Sequence, residues 1–416
     1  MSEAVQPTTP LPRLRNLQFS PLKQGEDQYV MLWDPTGLSS ERLVIPLNYF
    51  FLVQHLDGEH SLERLGALYL KKFGEFLQPD KIERLVADMD RKLFLEGDRC
   101  EAAKRAAVEA YRAQPLRRAA YAGRSYEADA ARLLRQLEDF ERSKEGPEVR
   151  ASENKGKKIK GLVAPHYDLK QAGSIYAWAY KELREATAPD LYVVLGTAHT
   201  ELPHGFAFTD KDFETPLGVV KTDQEIVRAI RQQGGERWFE EDRIHRAEHA
   251  VEFQLPWLQY ALGREKPISI VPALCSFSAD CFVAEDLKSL ARSVEEGIGV
   301  LHEALRASGR DYCVIAGAEL AHIGMRYGDQ KPPTDFAFHR CLQKDLEMLK
   351  HVEELNPQAF MDYLVKEGDA RRVSGFAPIY TLLRLIQAEK GQVLRYDRGI
   401  TDQYNSTVTF CSMSFF

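Results

Sequence analysis

Three apolar runs in the second half of the chain share one shape. Gly161-Leu-Val-Ala-Pro-His166, Leu191-Tyr-Val-Val-Leu-Gly-Thr-Ala-His199 and Tyr312-Cys-Val-Ile-Ala-Gly-Ala-Glu-Leu-Ala-His322 each carry consecutive aliphatic residues, then proline or glycine, then histidine. Short continuous apolar runs bounded by turn residues predict strands buried on both faces. Pro165 excludes helix at the residue before it, and Gly196 permits a tight turn. Helical spacing follows the first run, at Ala172, Ile175, Tyr176, Ala179 and Tyr180. Strand, helix and strand in repetition predict an α/β domain: a mostly parallel central sheet with flanking helices. The carboxyl ends of such strands line one crevice, where ligands bind. The pattern therefore directs several histidines to one place.

Upstream the pattern changes. Tyr29-Val-Met-Leu-Trp33 and Arg42-Leu-Val-Ile45 read as strands around the turn Asp34-Pro35-Thr36-Gly37. Residues 47–55 have apolar positions at helical spacing. A helix from Leu62 presents Leu65, Leu68, Tyr69 and Phe73, and one from Asp80 presents Ile82, Leu85, Val86, Met89 and Leu93. A hairpin with three short helices predicts a small winged-helix-like domain over residues 25–98. Residues 1–24, polar and Pro-rich, are expected to be a flexible N-terminus, residues 99–115 a helical linker, and residues 116–416 the α/β domain. The alternating Ser406-Thr-Val-Thr-Phe-Cys-Ser-Met-Ser-Phe415 is expected as a last strand, antiparallel at a sheet edge.

Length and charge narrow the function classes. At 416 residues the chain accommodates two domains, and its net charge of −7 argues against a general nucleic-acid binder. No apolar run is long enough to span a membrane and no secretory h-region opens the chain, so a cytoplasmic protein is expected. The six cysteines are scattered without a Cys-x-x-Cys, which predicts buried free thiols.

The candidate chemistry lies at the strand ends. His166 and His199 occupy equivalent positions, and imidazole is a common metal ligand and general base. In Arg246-Ala-Glu-His-Ala-Val-Glu-Phe-Gln-Leu-Pro256, a helix is expected to start near His249 and to place His249 and Glu252 on one side, as acid/base groups or as support for a ligand. Glu319 and His322 can complete a set of two histidines and a carboxylate, which suits non-haem Fe(II), with His322 a further ligand or a proton donor. Thr215-Pro-Leu-Gly218 reads as an architectural turn. Arg371 or Arg372 is expected either to bind an anion near the crevice or to cap nearby structure.

Taken together, Ala164-Pro-His, Leu195-Gly-x-x-His, Thr215-Pro-Leu-Gly, Glu248-His-x-x-Glu-x-Gln-Leu-Pro and Glu319-x-x-His-x-Gly have the order and spacing of the Memo-like family, which includes the AmmeMemoRadiSam system protein B. Tyr121-Ala-Gly-Arg-Ser-Tyr126 resembles that family's opening, so the resemblance runs from about residue 116 to Phe416. It implies a fold like that of class III extradiol dioxygenases, in which two histidines and a carboxylate hold a non-haem iron that activates dioxygen. It also implies a metal pocket of the kind reported with iron or copper. His166 and His199 match the family's two pocket histidines, His249 its helix histidine and His322 that of its last block. Departures from the pattern introduce Asp168 as a possible ligand, Thr200 for a second histidine, Glu319 for an aspartate and Ala321 for a frequent cysteine. A pocket of nitrogen and oxygen donors favours iron or manganese over Cu(I); the same departures are compatible with a pocket that has lost its metal.

Asp57-Gly-Glu-His-Ser-Leu-Glu-Arg-Leu, a helix, and Lys92-Leu-Phe-Leu-Glu resemble PqqD-like modules. The resemblance implies a winged helix that grips leader peptides or works beside radical-SAM enzymes; a plain packing domain is the alternative. Two readings follow. In one, the protein is an Fe(II)-dependent, dioxygenase-like oxidoreductase: His166 and His199 with Glu319 or Asp168 hold the metal, and His249, His322 and Glu252 move protons. In the other, it is a non-catalytic protein whose pocket has lost, or only buffers, metal and which grips a peptide or partner, its N-terminal module recruiting a radical-SAM enzyme or that enzyme's substrate.

Overall fold

The structure, a computed structural model, describes residues 9–25, 27–147, 151–263 and 267–416. The chain forms two compact units, Met1–Ala113 and Gln114–Phe416.

In the first unit, strands β1 (Gln18–Gln24), β2 (Asp27–Trp33) and β3 (Arg42–Pro46) make an antiparallel sheet in that order. Helices α1 (Leu47–Val53), α2 (Leu62–Phe73), α3 (Pro79–Arg91) and α4 (Asp98–Arg112) accompany it. Ser61 caps α2 by accepting from the Arg64 N–H, and Gly74 ends that helix in the left-handed region. The flexible N-terminus expected over residues 1–24 is corrected for residues 9–24. Leu11 is buried in the unit's core. The Leu11, Leu14 and Arg15 N–H groups donate to the carbonyls of His60, Leu56 and Phe94. Polar composition concealed this segment because its order comes from backbone bonds made across the fold. Residues 1–8 lie outside the described residues. The expected linker is mostly α4, which ends at Arg112 with Cys100 and Tyr111 buried.

The second unit opens with β4 (Leu116–Arg117), α5 (Ala130–Arg142), β5 (Gly161–Ala164), α6 (Leu169–Glu185) and β6 (Leu191–Thr197). Next come β7 (Phe206–Phe208), the hairpin of β8 (Asp212–Thr215) and β9 (Gly218–Thr222), then α7 (Gln224–Gly234), α8 (Gln254–Leu262), β10 (Ser269–Cys275) and α9 (Lys288–Ala307). It closes with β11 (Tyr312–Gly317), β12 (His322–Ile323), α10 (Asp335–Glu353), α11 (Pro357–Glu367), α12 (Phe376–Leu385), β13 (Gly391–Ile400) and β14 (Thr407–Phe415). The eleven strands form one sheet in the order β12-β14-β5-β11-β6-β10-β9-β8-β4, with β13 on β14 and β7 on β10. Its centre, β5-β11-β6-β10-β9, is parallel.

Strands β5, β6, β10 and β11 each feed two cores. Val163, Val193, Leu195, Val271 and Val314 pack on one face of the sheet, and Leu162, Tyr192, Val194, Ile270 and Ile315 on the other. This is why the runs are continuously apolar rather than alternating. The last strand departs from expectation: β14 is antiparallel to β5 but internal, flanked also by β12 and β13, and all nine residues are buried. Three of its polar residues find partners inside, the Thr407 hydroxyl in the Asn405 carbonyl, the Thr409 hydroxyl in Asp345 and the Ser412 hydroxyl in the Ile175 carbonyl, while the Ser414 hydroxyl is buried without one. All six cysteines are buried and free. Among the described residues, no helix is long and apolar enough to cross a membrane.

Candidate metal centre

The register of the parallel strands assembles the site. In β11, Gly317 lies opposite Ala164 of β5 on one side and Gly196 of β6 on the other. The three strands thus end level, and the Ala318 N–H extends the ladder by donating to the Ala164 carbonyl. His166, Glu319 and His199 follow within two or three residues of that line. A fourth group, His249, arrives on the turn before α8. The helix expected to start near His249 starts at Gln254 instead, so His249 and Glu252 share no helical face and Pro256 sits in the first turn without kinking anything.

Glycine lets this turn seat against the strand ends. A Cβ on Gly196 would lie 2.9 Å from Ala250 Cβ, and one on Gly317 would lie 2.7 Å from the Ala250 carbonyl oxygen. Gln254 then locks the turn. Its amide donates to the Pro165 and Ala250 carbonyls (2.8 and 3.2 Å) and its oxygen accepts from the Tyr180 hydroxyl (2.9 Å).

His166, His199 and His249 form one cluster, with a ring nitrogen from each lying within 4.8 Å of the others. The ring centroids are 4.9–5.5 Å apart. The Glu248 carboxylate faces Nδ1 of His199 at 3.0 and 3.1 Å and Nδ1 of His249 at 3.1 Å. A carboxylate at both Nδ1 atoms fixes the Nδ1–H tautomer and leaves each Nε2 lone pair free, the arrangement that supports metal-bound histidine. Burial opposes the Glu248 charge, but the bonds from His199 and His249 outweigh it and hold its carboxyl far below the ordinary range. Burial would likewise lower His199, yet Glu248 reverses this and the net shift is upward.

His166 has no such support. Its ring is fully buried, neither nitrogen has a hydrogen-bond partner, and burial pushes its pKa down to about 3. Glu319 Oε2 lies 3.6 Å from its Nε2, beyond hydrogen-bond reach. A neutral imidazole with unpaired nitrogens, deep in the fold and beside two others, fits a divalent cation and little else; unsatisfied, such a group costs about 1–3 kcal/mol. Among the candidate ligands, the structure thus groups His166 and His199 with His249, which sequence reasoning had assigned to proton transfer.

The other candidates fall in three places. Glu319 stands between His166 and His322, 3.2 Å from His322 Nε2. Burial opposes its ionisation, but its histidine neighbours hold its carboxyl below the ordinary range. With His166 neutral, the hydrogen bond from His322 is the contribution that counts. His322 Nδ1 faces the Leu320 and Arg372 carbonyls at 3.2 and 3.1 Å, so both of its ring nitrogens point at acceptors. Asp168 is instead the cap of α6, accepting from the Lys170 N–H at 2.9 Å. Glu252 is fully buried as an anchor. It pairs with the equally buried Arg117 and accepts from the Ala120 N–H, the Tyr121 N–H and the Tyr126 hydroxyl. It has no lone pair left for acid/base work.

Arg117 also donates to the Glu248 carbonyl (2.8 Å), so this pair holds the turn that carries Glu248 and His249. Arg371 is not available to an anion, being buried against Asp345 and Glu367. Arg372 donates to the His322 carbonyl and to Asp329. Sequence reasoning missed Glu248 as the group that orients two histidines; its place directly before His249 was the available signal.

A model of the family described as Memo-like protein matches residues 117–414. A MEMO1 family protein of Aquifex aeolicus is 24% identical over 409 residues, covering 96% of this chain and 99% of its own length. One of Thermotoga maritima is 33% identical over 229 residues, 54% of this chain and 71% of its own length. One of Ignicoccus hospitalis is 32% identical over 255 residues, 60% and 80% respectively. With the matched residues taking in all but the two end residues of the sheet and every histidine of the cluster, the chain belongs to the Memo-like family.

Proposed function

We propose that the protein is a metal-dependent oxidoreductase whose centre is held by His166, His199 and His249, with Glu319 as the adjacent carboxylate and Fe(II) as the native ion. The observation that carries this reading is the fully buried His166 ring, with both nitrogens unpaired, beside two histidines whose Nδ1 atoms share one carboxylate. Imidazole and carboxylate donors without a thiolate suit iron over Cu(I). Bound Fe(II) with open positions would supply redox and Lewis-acid chemistry of the kind used by the extradiol-dioxygenase-like fold class. The residues around it do the rest. Glu248 and the Arg117–Glu252 pair keep the imidazoles aimed, and His322, hydrogen-bonded to Glu319, holds a proton at Nε2 for the reacting group. The N-terminal unit serves as a PqqD-like module that presents a peptide or recruits a radical-SAM enzyme. Its Asp57-to-Leu65 motif supports this.

The test is elemental analysis of protein purified anaerobically, alongside His166→Ala and His249→Ala. About one iron per chain in the parent and none in the variants is expected. A parent that stays metal-free after Fe(II) loading would overturn the reading and leave a partner-binding protein.

A further inference from the structure

A cavity of about 730 Å³, within the range of small-molecule sites, is lined by residues that adjoin those of the centre in the chain. One wall is the end of β6: Thr197 and Ala198 line it immediately before His199. The facing wall is the loop Asp369–Ser374, which also holds the proton-transfer pair. The Arg371 carbonyl accepts from the His322 N–H, the Arg372 carbonyl lies against His322 Nδ1, and the Gly375 N–H donates to the Glu319 carbonyl. The cavity therefore lies between the strand that carries a metal-cluster histidine and the loop that positions His322.

The loop is strained where it meets the cavity. Asp369 (φ +43°) and Arg372 (φ +54°) both occupy the left-handed region without being glycine, a conformation that concentrates at functional sites. Ser374 lines the same space, with its hydroxyl buried behind the cavity wall and without a hydrogen-bond partner. Leu202, Phe277, Leu287 and Leu290 supply an apolar floor. The charges lining it are unequal. Glu201 and Asp369 line the cavity, Asp369 with one oxygen accepting from the Val373 N–H, whereas both terminal nitrogens of the lining guanidinium, Arg372, donate to Asp329 and the His322 carbonyl.

We propose that this cavity takes the organic body of the substrate, an aromatic-sized apolar group with a cationic or neutral hydrogen-bonding end, and that it discriminates against anions. Its assignment to the substrate rests on the metal-centre reading; binding in the cavity does not.

Titration calorimetry and saturation-transfer NMR on the chelator-treated full chain test this with benzylamine, benzyl alcohol and benzoate, which share a ring and differ in charge. Benzylamine and benzyl alcohol are expected to bind and benzoate to bind weakest. Glu201→Gln and Asp369→Asn should each weaken benzylamine by up to about tenfold and leave benzyl alcohol unchanged. Ser278→Trp, an exposed position on the rim, should abolish binding of all three, with Ser278→Ala as the control that retains it. Benzoate binding as tightly as benzylamine, or binding that survives Ser278→Trp, would overturn the inference. Metal analysis of the same preparations keeps the two proposals apart. A metal-loaded parent with no cavity binding sinks this one alone, and cavity binding in a protein that never takes metal sinks the substrate assignment together with the metal-centre reading.

Discussion

Glu252→Gln distinguishes an anchor from a proton-transfer residue, because the substitution keeps size and removes only charge and one acceptor. Every polar neighbour of the Glu252 carboxylate donates. Oε2 receives Arg117 Nη1 and the Ala120 N–H, and Oε1 receives the Tyr121 N–H and the Tyr126 hydroxyl. Whichever way a glutamine amide is turned, its NH₂ meets at least one fixed donor. The better orientation faces the Tyr126 hydroxyl, which can rotate to accept, but strands the Tyr121 N–H. Either orientation leaves the fully buried Arg117 guanidinium without its counter-charge. Breaking a buried pair from one side costs about 3–5 kcal/mol, a large share of the 5–15 kcal/mol typical of domains. The expected fall in melting temperature is roughly 5–15 °C, read by calorimetry and by the denaturant midpoint against the parent. Since Arg117 also holds the Glu248 carbonyl, metal retention should fall too. Unchanged stability in Glu252→Gln, with activity lost, would refute the anchoring argument and restore the carboxylate as an acid/base group.

Other perturbations probe other links. Glu248→Gln should lower metal affinity about 10–100-fold, measured by competition with a chromophoric chelator, and some stability with it, because the carboxylate also accepts from the His199 and His249 N–H groups. Gly317→Ala places a methyl 2.7 Å from the Ala250 carbonyl oxygen and 2.8 Å from Gln254 Nε2; it should cost about 1–3 kcal/mol and lower metal content by displacing the His249 turn. Asp223 caps α7, pairs with Arg310 and accepts from the Ser269 hydroxyl. Burial opposes its charge, but these partners win and its pKa falls below the ordinary 3.8. Its contribution is therefore complete above the unfolded value and lost as pH falls through the lower folded one. Asp223→Ala should cost about 1–2 kcal/mol at neutral pH and approach nothing in acid, as denaturant titrations at several pH values would show.

The sequence by itself determined the α/β core and the level at which three of its strands present histidine or glutamate, because these are local properties. An unbroken aliphatic run specifies a strand buried on both faces, and the proline or glycine after it specifies where the strand stops. His166, His199 and Glu319 were legible on those grounds. Tertiary structure decided the partners. Glu248 and Glu252 flank the same histidine in sequence and look interchangeable. Only the approach of Arg117, 135 residues upstream of Glu252, ties one carboxylate to a guanidinium, while the other accepts from the His199 and His249 N–H groups and orients their two imidazoles. His249 joins the cluster because Gly196 and Gly317 leave space for its turn, a matter of contact between distant segments. The same holds for β14, whose alternating serines and threonines promised an exposed face and instead lie inside the sheet, where Thr409 bonds to Asp345 and Ser412 to a carbonyl of α6. Periodicity reports how a segment meets its solvent; it carries no record of which remote group stands in for that solvent, and that substitution built the site.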